Sequence, residues 1–384
     1  MLQPEEIKFI QEHLQQDPAS LALKAKKYPH LDIKKLATQI QARQKLADKL
    51  PTWVSQPGIY FPAQISLEQA SSEATARFKA SLVNGKLIDI TGGMGVDVWA
   101  FSQTCEKVTY VEQQIELVHR TRSNHAVLGL SNVNHQEGNG LDYLKEEFDW
   151  IYVDPARRDQ QGNKVILFKD CQPNVLELLN YSIKSKLLIK TSPVLDIQRA
   201  IRELEGVEKV YVVAYQDEVK ELLFLKTGVN QDNPPIELIE LANDQPRLFS
   251  GTMDEEKEAP MHLGNVSNFI YEAHPTLLKA GFFKMIQQLG VWQLGQHTHL
   301  YSSAERMENF PGKTYEKISA GPVQRDWIIP HLSDSRVNIS TRNFPMKADA
   351  LRQKLKLKDG GDYTLFGIQN MNEKNELILC KKCP

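Results

Sequence analysis

The chain is expected to be an α/β protein built on a doubly wound, mostly parallel sheet, with a helical domain before it and small α+β domains after it. Three observations carry this expectation. Short apolar strand segments alternate with helical periodicity from residue 87 to residue 190, and a glycine-rich turn follows the first of them directly. Two further strand segments, 207–215 and 221–228, close the series with only a short polar loop between them. Strand–helix alternation produces parallel strands covered on both faces, whereas two strands joined by a short loop must run antiparallel.

The elements follow in order. From Pro4 to about Leu50, apolar residues such as Ile7, Ile10, Leu36 and Ile40 recur mostly at three- and four-residue intervals, punctuated by Pro18 and Pro29, which predicts a small helical domain. Residues 51–62 hold three prolines and a glycine around Trp53, Tyr60 and Phe61, the composition of an ordered linker that packs its aromatics. Ser71-Ser72-Glu73-Ala74-Thr75 has N-capping chemistry and opens a helix through Phe78 and Leu82. The sheet strands are LIDI (87–90), VTYVE (108–112), VNHQ (133–136), WIYVD (150–154) and LLIK (187–190), with a helix over Ile115 to Leu128, and VEKVYVVAY and ELLFLKTG form the closing hairpin. Pro234 and Pro235 mark a boundary. Beyond it come the strand-like IELIEL and VWQLGQHTHLY with a helix near Pro275 to Leu289, then a unit from Gly312 reading strand, strand, helix (KADALRQKLKL), turn, strand, strand. The expected domains are 1–65, 66–230, 231–311 and 312–384.

Composition narrows the class. At 384 residues the chain exceeds one ordinary core. Its 41% hydrophobic and 24% charged residues suit a soluble globular protein, and no apolar run approaches the ~20 residues of a membrane span. The start carries acids and amphipathic spacing in place of a secretory signal, so the cytoplasm is the expected compartment. Four cysteines are too few for a disulfide framework, and the Cys380/Cys383 pair has no second pair or histidine beside it, so inert thiols are expected and no metal. His297 and His299 share a strand face without a third ligand, and cross-strand packing or solvent exposure is the expectation there in place of a metal. The net charge of −2 hides a local excess of thirteen Lys/Arg over eight Asp/Glu in residues 311–384, so any nucleic-acid contact should be regional.

The glycine turn is the first motif with chemistry in it. Asp89-Ile90-Thr91-Gly92-Gly93-Met94-Gly95-Val96-Asp97 leads from strand into helix, a geometry that lets backbone approach a ligand and aims helix N–H groups at its anionic end. A dinucleotide site would want a third glycine where Val98 stands. S-adenosylmethionine wants an acid ending the first strand, a glycine turn, and an acid ending the second strand for the ribose hydroxyls; Asp89, Gly92/Gly93/Gly95 and Glu112 supply all three. Thr91 and Asp97 join the candidate cofactor residues. Asn139, with Asp142 behind it, occupies the loop that reads the adenine amino group, a helix cap being the equal alternative. The closing antiparallel hairpin also favours a methyltransferase over a dehydrogenase.

The second motif, Tyr152-Val153-Asp154-Pro155-Ala156-Arg157-Arg158, follows the fourth strand at the sheet edge where such folds place their chemistry. Asp154 and the Pro155 carbonyl can accept hydrogen bonds from a target nitrogen. Arg157 and Arg158 suit bidentate contact with phosphate or carboxylate, or stand as surface charges. Lys190 and Glu221 either line the same edge or serve as structural ion pairs.

On these residues the chain resembles a bacterial family of class I S-adenosylmethionine-dependent methyltransferases with a C-terminal THUMP-like domain. The motifs that carry the resemblance are SSEATARFKA (71–80), LIDITGGMGVDV (87–98), YVDPARRD (152–159), KELL (220–223) and STRNFPMKADALRQKLKLKDGGDY (340–363). It implies a Rossmann-like catalytic domain, a ferredoxin-like domain over 231–311 and the THUMP-like unit over 312–384. It also implies tRNA or ribosomal RNA as partner, contacted through the basic C-terminal domain. Ala156 and Arg157 replace the aromatic of the [DNS]-P-P-[YFW] pattern, which leaves the target atom open. Protein or small-molecule methylation, or an RNA-binding adaptor without catalysis, are the alternatives.

Overall fold

The computed structural model describes residues 2–62, 70–155, 168–179, 185–229 and 231–384. They fall into two compact units, one of residues 1–215 with 220–232 and one of residues 216–219 with 233–384.

The first unit opens with helices α1 (Pro4–His13), α2 (Pro18–Leu23), α3 (Ile33–Leu46) and α4 (Pro51–Ser55). Asp17 caps α2 on Ser20 N, Asp32 caps α3 on Lys35 N, and Pro sits in the first turn of α1, α2 and α4, where its missing N–H costs nothing. Phe9, Ile10, Leu21, Ile33, Leu36 and Ile40 make one apolar cluster. The linker expected at 51–62 is helical in its first half. Its second half is tied down by side chains: the Gln39 amide pairs with the backbone of Phe61 in both directions (2.9 Å each), and Asn124 does the same for Tyr60. Buried Arg43 donates to the Ile59 (2.6 Å) and Pro57 (3.0 Å) carbonyls. Of its aromatics, Trp53 and Phe61 are buried and Tyr60 is half-buried.

Helix α5 (Glu73–Ala80), capped by Ser72 on Thr75 N, leads into the sheet. Its strands are β1 (Lys86–Asp89), β2 (Lys107–Glu112), β3 (Val133–Glu137), β4 (Trp150–Val153), β5 (Lys186–Thr191), β6 (Lys209–Tyr215) and β7 (Glu218–Lys226). Their order is β3-β2-β1-β4-β5-β7-β6. The first five pair parallel, and β7 runs antiparallel to β5, so the expected closing hairpin is inserted beside β5. Helices α6 (Val96–Phe101), α7 (Ile115–Val127), α8 (Val175–Leu178) and α9 (Ile197–Leu204) occupy the connections. Ile88, Val108, Ile151, Val153, Leu187 and Ile189 are all buried, the continuous apolar strands of a sheet covered on two faces.

The second unit holds β8 (Ile236–Glu240) paired antiparallel with β9 (Arg247–Gly251), then α10 (Met253–Glu258). After these come β10 (Phe269–Ala273), α11 (Pro275–Ala280), β11 (Trp292–Gly295), β12 (Thr298–Ser303), β13 (Gly312–Gly321), β14 (Asn338–Arg342), α12 (Ala348–Leu355), β15 (Tyr363–Gln369) and β16 (Asn375–Lys382). Seven of these strands form one sheet, β11-β12-β10-β13-β16-β15-β14. That sheet runs straight across residues 311 and 312. One core joins Ile270, Leu294 and Leu300 to Tyr315, Phe366, Ile368 and Ile378. Leu351 and Leu355 of α12 enter a neighbouring cluster with Val337, Leu365 and Leu379. Among the described residues no helix is long and apolar enough to cross a membrane.

Candidate cofactor and catalytic site

Asp89, Glu112, Asp154 and Lys190 stand at or just beyond the C-terminal ends of β1, β2, β4 and β5. The strand order reverses between β1 and β4, and a doubly wound sheet opens its ligand crevice there.

The glycine turn is fixed from three sides. Gly92 N donates to Val111 O (2.9 Å), Gly93 N to Glu112 Oε2 (3.0 Å), and Tyr110 Oη donates to Gly93 O (2.7 Å). A Cβ on Gly92 would lie 2.3 Å from the Tyr110 ring, and one on Gly95 (φ +79°) would meet Thr121 and His125 within 2.6 Å, so neither position accepts a side chain. Gly93 (φ +53°) faces open space beyond Thr91 O. Behind the turn, burial holds the His125 imidazole down to about 3 and that of His135 down to about 4. Neutral His125 therefore donates from Nε2 to Gly95 O (2.9 Å) and accepts at Nδ1 from His135 (2.9 Å). Glu112 Oε1 accepts from Gln114 N (2.9 Å), and each carboxylate oxygen keeps a second lone pair.

Thr91 ties this turn to the loop after β4. Its amide (2.8 Å) and hydroxyl (3.1 Å) donate to Asp89 Oδ1, and the same hydroxyl accepts from Asp154 N (2.8 Å). Asp89 is buried; that burial pushes its carboxyl up to about 8 against the pull of the Thr91 donors, with Asp97 and Asp154 adding to the rise. Asn139 Oδ1 accepts from Leu141 N (3.2 Å), so the cap is the role realised in its side-chain oxygen, and Asp142 is exposed in the same turn. Gly140 abuts Ile90 so closely that a Cβ would fall 2.4 Å from the Ile90 Cβ, which brings this loop against the glycine turn.

Under Asp154 lies a buried ionic cluster that sequence reading does not assemble. Lys79 Nζ bonds both Glu221 oxygens (2.9 and 2.8 Å) and Ser71 Oγ (3.0 Å), and sits 3.2 Å from Asp97 Oδ1. Asp97 Oδ2 accepts from Tyr152 Oη (2.8 Å) and Ser71 Oγ (2.9 Å). Lys190 Nζ sits 2.5 Å from Asp154 Oδ2. Burial alone would raise Asp97, but Lys79 and Lys190 carry it below the usual carboxylate range. Burial raises Glu221, with Lys79 and Lys190 opposing. Asp97, expected among the cofactor ligands, is thus committed to this network: its charge answers two buried ammonium groups. For Lys190 and Glu221, ion pairing is what the structure displays. Pro155 is buried beside Asp154, while Arg157 and Arg158 lie outside the described residues.

In the second unit, His299 stacks on Phe283 (3.9 Å between centroids), and Cys380 is a buried thiol whose pKa burial raises. Asp217, Glu240 and His274 converge, but Glu240 already accepts from the Gln216, Asp217 and Ala242 amides, and Lys313 neutralises Asp217 at 3.0 Å. Of the tail cations, Arg336 pairs with Asp334, Arg342 with Glu272, and Arg352 with Asp349 and Asp359. Lys347, Lys354, Lys356 and Lys358 are exposed and in no ion pair among the described residues. Thr341, Asn343, Phe344, Met346, Lys347 and Gln369 line a groove of about 520 Å³ beside them.

Comparison with known proteins shows the family. Residues 329–382 match a family described as THUMP domain-like, and residues 269–311 match a ferredoxin-like domain. The solved structure of a candidate methyltransferase from Porphyromonas gingivalis W83 is 30% identical, covers all of both chains and superposes with a TM-score of 0.88. An uncharacterised RNA methyltransferase from Mycoplasma mobile is 25% identical over 158 residues, which are 39% of this chain and 44% of that one. The match thus spans under half the length of that relative.

Proposed function

The chain belongs to the bacterial methyltransferase family with ferredoxin-like and THUMP-like domains at its C-terminal end, and from that premise we propose that it transfers the methyl group of S-adenosylmethionine to a base in RNA. The observation that carries the reading is the Thr91 bridge. One residue of the glycine turn holds Asp89 on the cofactor side and the amide of Asp154 on the other, so the turn is tied directly to the residue that follows β4.

The residues present fit S-adenosylmethionine. Glu112 retains two acceptor positions for the ribose hydroxyls, Gly93 leaves its approach open, and the loop of Asn139 and Asp142 lies beside the turn for the adenine end. That cofactor, when bound, supplies an already electrophilic methyl group, so the chain's own task is to orient a nucleophile and accept its hydrogen bonds. Asp154 and the Pro155 carbonyl do this at the sheet edge. RNA as acceptor is supported by the THUMP-like match, by the RNA methyltransferase named from Mycoplasma mobile, and by four exposed lysines around α12 that form no ion pair among the described residues. The test is transfer of labelled methyl from S-adenosylmethionine to total RNA from cells lacking the protein. Label in RNA, and a modified nucleoside missing from those cells, is the expected result. Label that enters a protein or small-molecule fraction instead would overturn the RNA reading.

A further inference from the structure

Lys190 is the penultimate residue of β5 and follows Ile189, the register partner of Val153 in β4, so it stands beside Asp154. Its ammonium is nearly buried and faces three carboxylates, Asp154, Glu221 and Asp97. Burial would lower its pKa, but those three charges raise it above the ordinary lysine value, Asp154 most of all. Two of the three are already engaged, since Lys79 grips both oxygens of Glu221 and lies against Asp97. The only direct ion-pair partner of Lys190 among the described residues is Asp154.

We propose that Lys190 is the positioning residue of the methyl-transfer site, fixing the Asp154 carboxylate so that one oxygen is held by the ammonium and the other is presented to the acceptor. The proposal rests on the reading of Asp154 given above. Two anchors define the geometry: Lys190 holds Oδ2 at 2.5 Å, and Thr91 Oγ1 holds the Asp154 amide at 2.8 Å. Rotation of the carboxylate away from Lys190 would leave a buried ammonium without its partner, which is strongly unfavourable. Oδ1 accepts from no described residue and the side chain is 34% exposed; on this proposal Oδ1 is the oxygen that meets a substrate N–H. Lys190 itself takes no proton in the reaction, because its neighbours keep it protonated. Its contribution is orientation.

The test uses the full chain, a labelled-methyl assay on RNA and calorimetric binding of S-adenosylmethionine. Lys190→Gln is expected to bind S-adenosylmethionine within about twofold of wild type and to keep its KM for RNA, while kcat falls about 100-fold, the effect of a misplaced reacting group. Asp154→Asn and the double variant complete a cycle. The double variant removes both charges of the pair together, and its kcat should match that of Asp154→Asn alone. An active wild type with an unimpaired Lys190→Gln, or losses that multiply in the double variant, overturns the positioning role and leaves the methyltransferase reading standing. Equal loss of S-adenosylmethionine binding would make Lys190 structural. A folded wild type that labels no RNA overturns the functional reading first, and this one with it.

Discussion

Replacing Glu112 by alanine removes the carboxylate that both pins the glycine turn and, on the proposed reading, accepts the two ribose hydroxyls. Its two present bonds, from Gly93 N at 3.0 Å and Gln114 N at 2.9 Å, are charge-assisted. Bonds of that kind are each worth about 1.5–3 kcal/mol when one partner is removed from a dry site. Glu112 is only partly buried, so solvent reduces this, and the conservative expectation is the loss of one such bond's worth of cofactor affinity. That amounts to a rise in Kd of about 10- to 100-fold. The turn itself should survive, because Gly92 N, Gly93 O and Gly95 O keep their bonds to Val111, Tyr110 and His125. Titration calorimetry with S-adenosylmethionine on wild type and variant, with melting curves to establish folding, makes the measurement. Unchanged affinity in a folded Glu112→Ala protein would refute the ribose assignment.

Asp154→Asn should bind S-adenosylmethionine within about twofold of wild type while kcat on RNA drops by roughly 10²-fold or more; equal losses of both would place Asp154 with the cofactor. Asp89, whose carboxyl burial raises to about 8, favours its neutral form in the fold. The stability that form contributes is full below about pH 4 and is lost as pH rises towards 8, so Asp89→Asn should gain in melting temperature over wild type more at pH 8 than at pH 5. A gain independent of pH would show that Asp89 does not titrate in this window. Changing Lys347, Lys354, Lys356 and Lys358 together to Glu should weaken RNA binding and flatten its dependence on salt, the slope falling by about 0.7–0.9 for each phosphate that the variant no longer neutralises. Filter binding at several salt concentrations reads both effects, and equal slopes for variant and wild type would remove this face from the RNA interface.

The sheet of the first unit is legible in the sequence because its strands are short, apolar and separated by helices, and every strand from β1 to β7 falls within three residues of its expected bounds. The second unit is less so. β9, α10 and β10 escape because RLFSG alternates weakly, MDEEKE shows no apolar stripe, and FIYEA is only five residues long. The helix expected over Pro275 to Leu289 stops at Gly281, which takes a left-handed φ of +79°, and a short 3-10 turn at Met285–Leu289 replaces its second half. Nor does local pattern reveal that β13 pairs with β10 on one side and β16 on the other. A chain cut near Phe310 would therefore divide one core, which is why charge substitutions on α12 and its flanks make the cleaner probe of RNA binding.

The ionic cluster explains why part of the site is illegible. Spacing in a sequence reports side chains on one turn or one strand, whereas Lys79 and Glu221 lie 142 residues apart and meet only because α5 and β7 are folded against the same sheet. Asp97 misleads for the same reason: its place just past the glycine turn suggests a ligand, and nothing local points to Lys79, Ser71 and Tyr152 around it. The charges in this cluster nevertheless obey a simple balance. Lys79 and Lys190 face Asp97, Glu221 and Asp154, and Asp89 beside them is held towards its neutral form. Among the described residues, two cations against three anions leave one negative charge in excess. Asp154 has the most exposed side chain of the three, at 34% against 12% for Asp97 and 3% for Glu221, so the excess can reside there at the least desolvation cost. On the proposed reading, the packing of the interior thus holds the Asp154 carboxylate in one orientation at the end of β4, for the acceptor to meet.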